Sequence, residues 1–231
     1  MAKKERNFNK TVGFEIAENN IVAAEIQFTK NSINISGGFK LNLPVFQNVN
    51  HTVELIKQSL KASNIKTKDC AFGLSMQYFK MSPVTIPKTI PESEISSILI
   101  QESNIDLQAD CLSYIPLYST QRQDADGVFR FDVLGISMSR SLLEISSHIS
   151  SKSGLNLVSL SPSFLGLGSY LDSRSGNSLV ATLWVSQIRS ELTVWLGKEP
   201  IYEHLFLTHQ LNEQVSQSMT YLQSQLPGAQ I

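Results

Sequence analysis

The sequence predicts a mixed α/β protein of two related lobes, each built on a sheet flanked by helices, with a smaller α/β block inserted into the first lobe. Two observations carry this. The stretch Thr11–Leu43 gives three short runs of alternating apolar and polar residues, Val12–Ala17, Ile21–Phe28 and Ser32–Leu41, with turn signals at Glu18-Asn19-Asn20 and Lys30-Asn31. The same three-run pattern returns as Leu179–Val185, Ile188–Leu196 and Ile201–Leu207, with turns at Ser186-Gln187 and Gly197-Lys198-Glu199-Pro200. A supersecondary unit used twice implies two lobes of common design.

The connecting elements follow in order. Asn50 is the expected cap of a helix to about Ser63, with Val53, Ile56 and Leu60 on one face and Asn64 ending it. Strands are expected at Cys70–Ser75 and Phe79–Ile86, the second demoted toward a sheet edge by Pro83. Thr89-Ile90-Pro91-Glu92 reads as a capping box opening a helix over 90–104, with Ile95, Ile98 and Leu99 as its buried stripe. Leu112–Tyr118 and Val128–Ser137 read as strands around a loop, Thr120–Gly127, with Asp126-Gly127 as its turn dipeptide. Ser141-Leu142-Leu143-Glu144 starts a capped helix carrying Leu142, Ile145 and Ile149, closed by Gly154. Asn156–Leu160 is a short strand, Ser161-Pro162 caps a helix to about Leu171, and Asp172–Asn177 reads as a linker. The last helix, His209–Leu226, places Leu211, Val215, Met219, Leu222 and Leu226 at helical spacing before Pro227-Gly228.

Composition narrows the function. In 231 residues, 42% are apolar, enough for an ample core, and 17% are charged with a net charge of −1, which argues against a nucleic-acid partner. Cys70 and Cys111 lack the spacing of a redox or zinc motif, so a reducing, cytosolic compartment is expected. The basic start MAKKERNFNK has no apolar segment behind it, and no stretch approaches the roughly 18 apolar residues of a membrane span. Direct membrane insertion is not expected. His51, His148, His204 and His209 are scattered, so no metal site is expected. Gly166-Leu167-Gly168 lies in helix-period sequence, where close packing explains it better than a phosphate loop, and Ser146-Ser147 with Ser150-Ser151 reads as the polar face of one helix. No Ser/His/Asp or Cys/His constellation has a recognisable spacing.

The opening VGFEIAENNIVAAEI resembles the start of the actin-like pilus assembly proteins of the PilM and MshI type, of type IV and mannose-sensitive pilus biogenesis. The likeness spans nearly the whole chain. VTIPKTIPESEISSILIQESNIDL resembles a segment of that family through Pro87, Pro91, Glu92 and Glu94, and SHISSKSGLNLVSLSPSFLGL resembles another through Gly154 and Leu155, with Leu160-Ser161 where the family has an acid. Asn212–Tyr221 is similar to a helix of the MshI-like branch. The resemblance implies an actin-like (ribonuclease H-like) fold: lobe 1A over 1–43 and 154–176, an inserted 1C-type subdomain over 44–153, and an incomplete start of lobe 2A over 177–231.

In actin-like ATPases an acidic-hydrophobic-glycine turn wraps the phosphates, with a lysine one strand step on. Here the matching positions are Glu15-Ile16-Ala17, with Val22 in the lysine's place, and Trp184-Val185-Ser186 in the second lobe. A Cβ at Ala17 in a turn that favours positive φ, the extra carboxylate of Glu18, and Trp184 in place of a metal-holding oxygen together imply that ATP and Mg²⁺ are not turned over. Asn19, Asn20, Ser186 and Gln187 remain as donors for a bound nucleotide. The resemblance implies a cytosolic scaffold, peripheral to the bacterial inner membrane through its partners. Those partners are the short cytoplasmic tail of a PilN-like bitopic protein and other pilus platform proteins, with self-association also open. The tail would lie against sheet edges, Phe39, Leu41 and Leu43 on one side and Phe79, Met81, Val84 and Ile86 on the other. The competing classes are an actin-like ATPase or nucleotide-binding regulator and an FtsA-like cell-division adaptor.

Overall fold

The structure, a computed structural model, describes residues 10–29, 32–168, 170–171 and 178–225. The Lys30-Asn31 turn, the 172–177 linker, Leu226 and Pro227-Gly228 lie outside them. The chain forms two compact units: one holds the segments up to Ser75 and from Ser139 to Ser163, the other Met76–Met138 and the segment from Phe164 on.

The first unit is a five-stranded sheet in the order β3-β2-β1-β4-β8. Strands β1 (Lys10–Ile16), β2 (Asn20–Phe28) and β3 (Ile33–Asn42) form the antiparallel meander expected from the alternation. β4 (Asp69–Leu74) runs parallel to β1, Val12 facing Cys70, and β8 (Asn156–Pro162) runs parallel to β4. Alternation puts Val12, Phe14 and Ile16 of β1 on one face, where all are buried with Ile21, Phe72 and Leu74. A one-residue slip would turn the whole set to the other face, so the register is tightly specified. Helices α1 (Val49–Ala62) and α3 (Arg140–Lys152) pack against each other, α1 touching β3 and α3 touching β8. Val53, Ile56 and Leu60 of α1 and Ile149 of α3 are their buried residues, each full burial contributing about 2 kcal/mol.

This sheet corrects the expected division. Residues 49–74 and 140–152, assigned from sequence to the insert over 44–153, belong with the first sheet, because β4 pairs directly with β1. The caps also differ. Asn48, not Asn50, caps α1, its side chain accepting the His51 N–H at 3.1 Å. Ser139, not Ser141, caps α3 through the Leu142 N–H. Ser146 and Ser150 are buried beside Ile149 rather than solvated. Gly154 closes α3 at φ 79, as its position after the helix requires.

The second unit holds two three-stranded sheets. In the first, β5 (Lys80–Pro87), β7 (Phe129–Ser139) and β6 (Asp110–Gln123) lie in the order β5-β7-β6 under α2 (Glu92–Ser103). Ile95 and Leu99 of α2 pack on Ile86, Phe131 and Val133, with Ile98 at the margin. The capping box does not form: Pro91 occupies the cap position with no side-chain hydrogen bond, and Asn104 ends the helix in the left-handed region at φ 51. In the second sheet, β9 (Leu179–Val185), β10 (Arg189–Leu196) and β11 (Glu199–Leu207) are ordered β11-β10-β9 and carry α4 (Leu211–Gln225). This repeats the β3-β2-β1 order of the first unit. The helix expected from Ser161-Pro162 to about Leu171 starts later: β8 continues to Pro162, a short 3₁₀ turn spans Ser163–Leu167, and Gly168, Tyr170 and Leu171 are helical. Gly168 is the glycine of the Gly-x-Gly pair that packing demands, since a Cβ there would stand 2.7 Å from the Lys198 carbonyl oxygen, whereas Gly166 faces open space.

Candidate functional site

The turn between β1 and β2 is closed by the Ala17 N–H donating to the Asn20 carbonyl at 3.0 Å. Among the described residues the only non-glycine positions with positive φ are Asn64 and Asn104, so Ala17 sits in this turn without strain. That corrects the expectation of a turn demanding glycine: the loop closes on its own hydrogen bond, and the Ala17 N–H is spent there. Glu18 and Asn19 are exposed, Asn20 begins β2, and Glu15 lies in register between Val22 and Gly73. Ser75 N–H adds a bond to the Ile16 carbonyl, extending the β1–β4 ladder to the turn.

The turn between β9 and β10 is equally self-contained. Ser186 Oγ donates to the Arg189 carbonyl at 2.6 Å and its N–H does so at 3.1 Å, while Thr208 Oγ1 donates to the Ser186 carbonyl. Ser186, read from sequence as a spare donor, is therefore committed within its own turn. Gln187 is exposed, and Trp184 presents its indole to solvent, 52% exposed.

Two carboxylates that sequence reading passed over are buried in strands and hydrogen-bonded there. Directly across the ladder from Trp184 stands Glu191, buried, with Oε1 accepting the Met76 N–H at 2.9 Å. In β2, Glu25 is 3% exposed and accepts from Lys10 Nζ at 2.7 Å, Ser36 Oγ at 2.6 Å, and Thr67 Oγ1 at 2.6 Å. Burial alone would raise the Glu25 pKa, but these bonds outweigh it and hold the carboxyl at about 2. The available signal was a single charged residue inside an otherwise buried or alternating strand. Both acids tie their own unit together.

Among the described residues no group of three His, Cys, Asp or Glu side chains could hold a metal ion. His204 of β11 lies 3.1 Å from Ser218 Oγ of α4, a pairing the sequence spacing did not reveal. Ser218 is buried and accepts the Tyr202 O–H at 2.9 Å, which makes the trio a polar anchor for α4 rather than an exposed nucleophile.

The two edges expected to receive a peptide are edge strands: β3 ends the five-stranded sheet and β5 ends its three-stranded sheet. Their named side chains are largely committed inward. Phe39 stacks edge-on to Phe14 at 6.0 Å, Leu41 is half-buried and Leu43 is buried. Phe79 and Met81 pack on Leu117, Leu134 and Ile136, while Val84 and Ile86 pack under α2. What these edges leave open is backbone.

The order β3-β2-β1 flanked by parallel strands, repeated as β11-β10-β9, defines an actin-like fold. A comparison with solved structures agrees. The chain matches a chain of a PilM-PilN type IV pilus biogenesis complex with TM-score 0.72 at 15% identity, over 91% of this chain and 66% of that one. The cytoplasmic domain of EpsL, an inner membrane component of the type II secretion system of Vibrio cholerae, matches with TM-score 0.57 at 12% identity, covering 90% of this chain and 75% of that one. A Bacteroides thetaiotaomicron protein of actin-like ATPase fold and unknown function matches with TM-score 0.56 at 12% identity, covering 96% and 80%. Neither a scan against protein-family models nor a search of curated proteins found a match.

Proposed function

We propose that this chain is an actin-like scaffold of an inner-membrane pilus assembly platform, of the type IV or mannose-sensitive kind, and that it binds the short cytoplasmic tail of a PilN-like bitopic membrane protein. The observation that carries the reading is the fold match over 91% of the chain to a component of a PilM-PilN complex. Two unpaired strand edges support it, because an extended tail gains main-chain hydrogen bonds at an open edge. Among the described residues no helix is long and apolar enough to cross a membrane, so in this reading the partner supplies the membrane contact.

The scaffold works without turnover. Both turns that would wrap phosphates in an actin-like ATPase spend backbone or hydroxyl donors on themselves, and Trp184 stands where a metal-holding oxygen would be. Purified protein should release no phosphate from Mg·ATP above background, and turnover abolished by Glu15→Ala would replace the scaffold with an ATPase. The direct test is fluorescence titration with a labelled synthetic peptide copying the cytoplasmic tail of a PilN-like protein. Saturable binding with a Kd in the range of about 1–100 μM is expected. No saturation at about 1 mM overturns the partner assignment.

A further inference from the structure

At one end of the first sheet the hairpin of β2 and β3 exposes an apolar strip. Phe28 stands opposite Ile33 and Ile26 opposite Ile35, so these four side chains share a face. Ile26 also stands opposite Thr11, the neighbour of Val12, which puts the strip on the face turned away from buried Val12, Phe14 and Ile16. Ile26 is half-buried, whereas Phe28, Ile33 and Ile35 are 46%, 68% and 72% exposed. Apolar side chains scattered singly on a surface need no explanation, but three that adjoin at one hairpin end mark a contact. The strip is distinct from the edge assigned to the tail. It is a sheet face at the start of β3, whereas Phe39, Leu41 and Leu43 lie toward and beyond the other end of that strand.

Lysines gather at the same end. β1, β4 and β8 are parallel and begin there, and α1 and α3 finish there because each leads directly into β4 or β8. Lys61 and Lys152 occupy the last turns of the two helices, and Lys66 and Lys68 lie in the link between α1 and β4. All four are exposed, and among the described residues none of them forms an ion pair. Of the described acids at this end, Glu25 is buried and spent on Lys10, and Asp69 accepts the Asn156 side-chain amide at 3.3 Å. A surplus of positive charge therefore borders the apolar strip, in a chain whose net charge is −1. Projecting apolar side chains beside unpaired lysines match a surface that is anionic outside and apolar beneath, and that demands no fixed shape.

We propose that this end of the first unit rests on an anionic phospholipid surface, with Phe28, Ile33 and Ile35 entering the headgroup layer and Lys66, Lys68 and Lys152 meeting lipid phosphates. This goes beyond the platform reading, in which the partner supplies the membrane contact. Here the chain has a contact of its own, made without a membrane span and wholly within the first unit.

The test is co-sedimentation of the full chain with vesicles of phosphatidylcholine alone or of equal parts phosphatidylcholine and phosphatidylglycerol, with no tail peptide present. The wild type should bind the anionic vesicles and not the neutral ones, and raising the salt from about 0.1 M to about 0.5 M should release most of it. Ile33→Ser combined with Ile35→Ser should weaken binding about tenfold, because it removes apolar area from the contact. Lys66→Gln combined with Lys152→Gln should weaken it to a similar degree, again about tenfold. All these side chains are exposed, so thermal melts of both variants should match the wild type. If the isoleucine variant melts early, Phe28→Ser replaces it. No binding of the wild type to anionic vesicles, equal binding to neutral ones, or anionic binding that survives loss of the apolar strip overturns the proposal. Each of these can occur while the labelled tail still binds, so the two readings fail separately.

Discussion

Glu25 and Glu203 are both withdrawn from water in strands, yet they titrate in opposite directions. Glu25 is held at about 2 by Lys10, Ser36 and Thr67, against burial. Its contribution to stability is complete above the ordinary carboxyl pKa near 4.5 and is lost as the pH falls through about 2. Glu25→Gln should cost about 2 kcal/mol at pH 7 and flatten the acid side of the stability curve, measured by denaturant melts across pH. Glu203 of β11 forms no hydrogen bond among the described residues, and burial pushes its carboxyl up to about 7. The folded state then holds a proton that the unfolded chain has released, so stability falls as pH rises from about 4.5 to about 7. Glu203→Gln should remove that slope and stabilise the protein at pH 8, on the order of 2 kcal/mol after partial solvation of the side chain is allowed for. A wild-type melting temperature that stays level between pH 5 and 8 would contradict this. At Ala17 the geometry predicts a small effect: with no positive φ to relieve, Ala17→Gly adds only chain entropy, costing under about 1 kcal/mol, and does not create a phosphate turn.

Helix ends separate what pattern reading can find from what it cannot. The apolar stripes of α1 and α2 are plain in the sequence because buried positions repeat at 3.6 residues, and Val53, Ile56, Leu60, Ile95 and Leu99 are buried as their spacing implies. The caps are less legible, since several Asn, Ser and Thr residues precede each stripe and backbone geometry chooses among them. Asn48→Ala should destabilise α1 by about 1 kcal/mol because Asn48 holds the His51 N–H, while Thr89→Ala should be nearly neutral because no side-chain cap forms at α2. Circular dichroism melts of the two variants distinguish them, and equal losses would restore the capping box. The meanders β1–β3 and β9–β11 were readable from alternation and turn residues, which act locally. The parallel pairing of β1 with β4 and of β4 with β8 was not, because periodicity says which face a residue takes and nothing about which distant strand lies alongside. For the same reason Glu191 was invisible as an anchor: its partner, the Met76 N–H, lies 115 positions away.

On the scale of the molecule, the chain crosses between its two units twice outside the hairpins, after Ser75 and Ser163, and returns once at Ser139, so the first sheet is assembled from segments that flank 76–138. Its strands β4 and β8 meet only after that intervening stretch has been laid down, a non-local pairing of the kind that slows folding. Cys70 sits in β4, between β1 and β8 of that sheet, fully buried, and burial followed by the charge of Asp69 pushes its thiol up to about 12. Cys111 lies half-buried in β6 of the other unit. Each unit therefore contains one cysteine thiol, and the two have unequal access to an alkylating reagent. Iodoacetamide should modify Cys111 in the native protein, whereas modification of Cys70 should wait for the first sheet to open and accelerate with denaturant. Peptide mass mapping of the two sites against time would read the opening of each unit separately. Modification of Cys70 as fast as Cys111 in native buffer would mean that the five-stranded sheet opens freely. The pair is a built-in clock for asking which half of the protein loosens when a partner arrives.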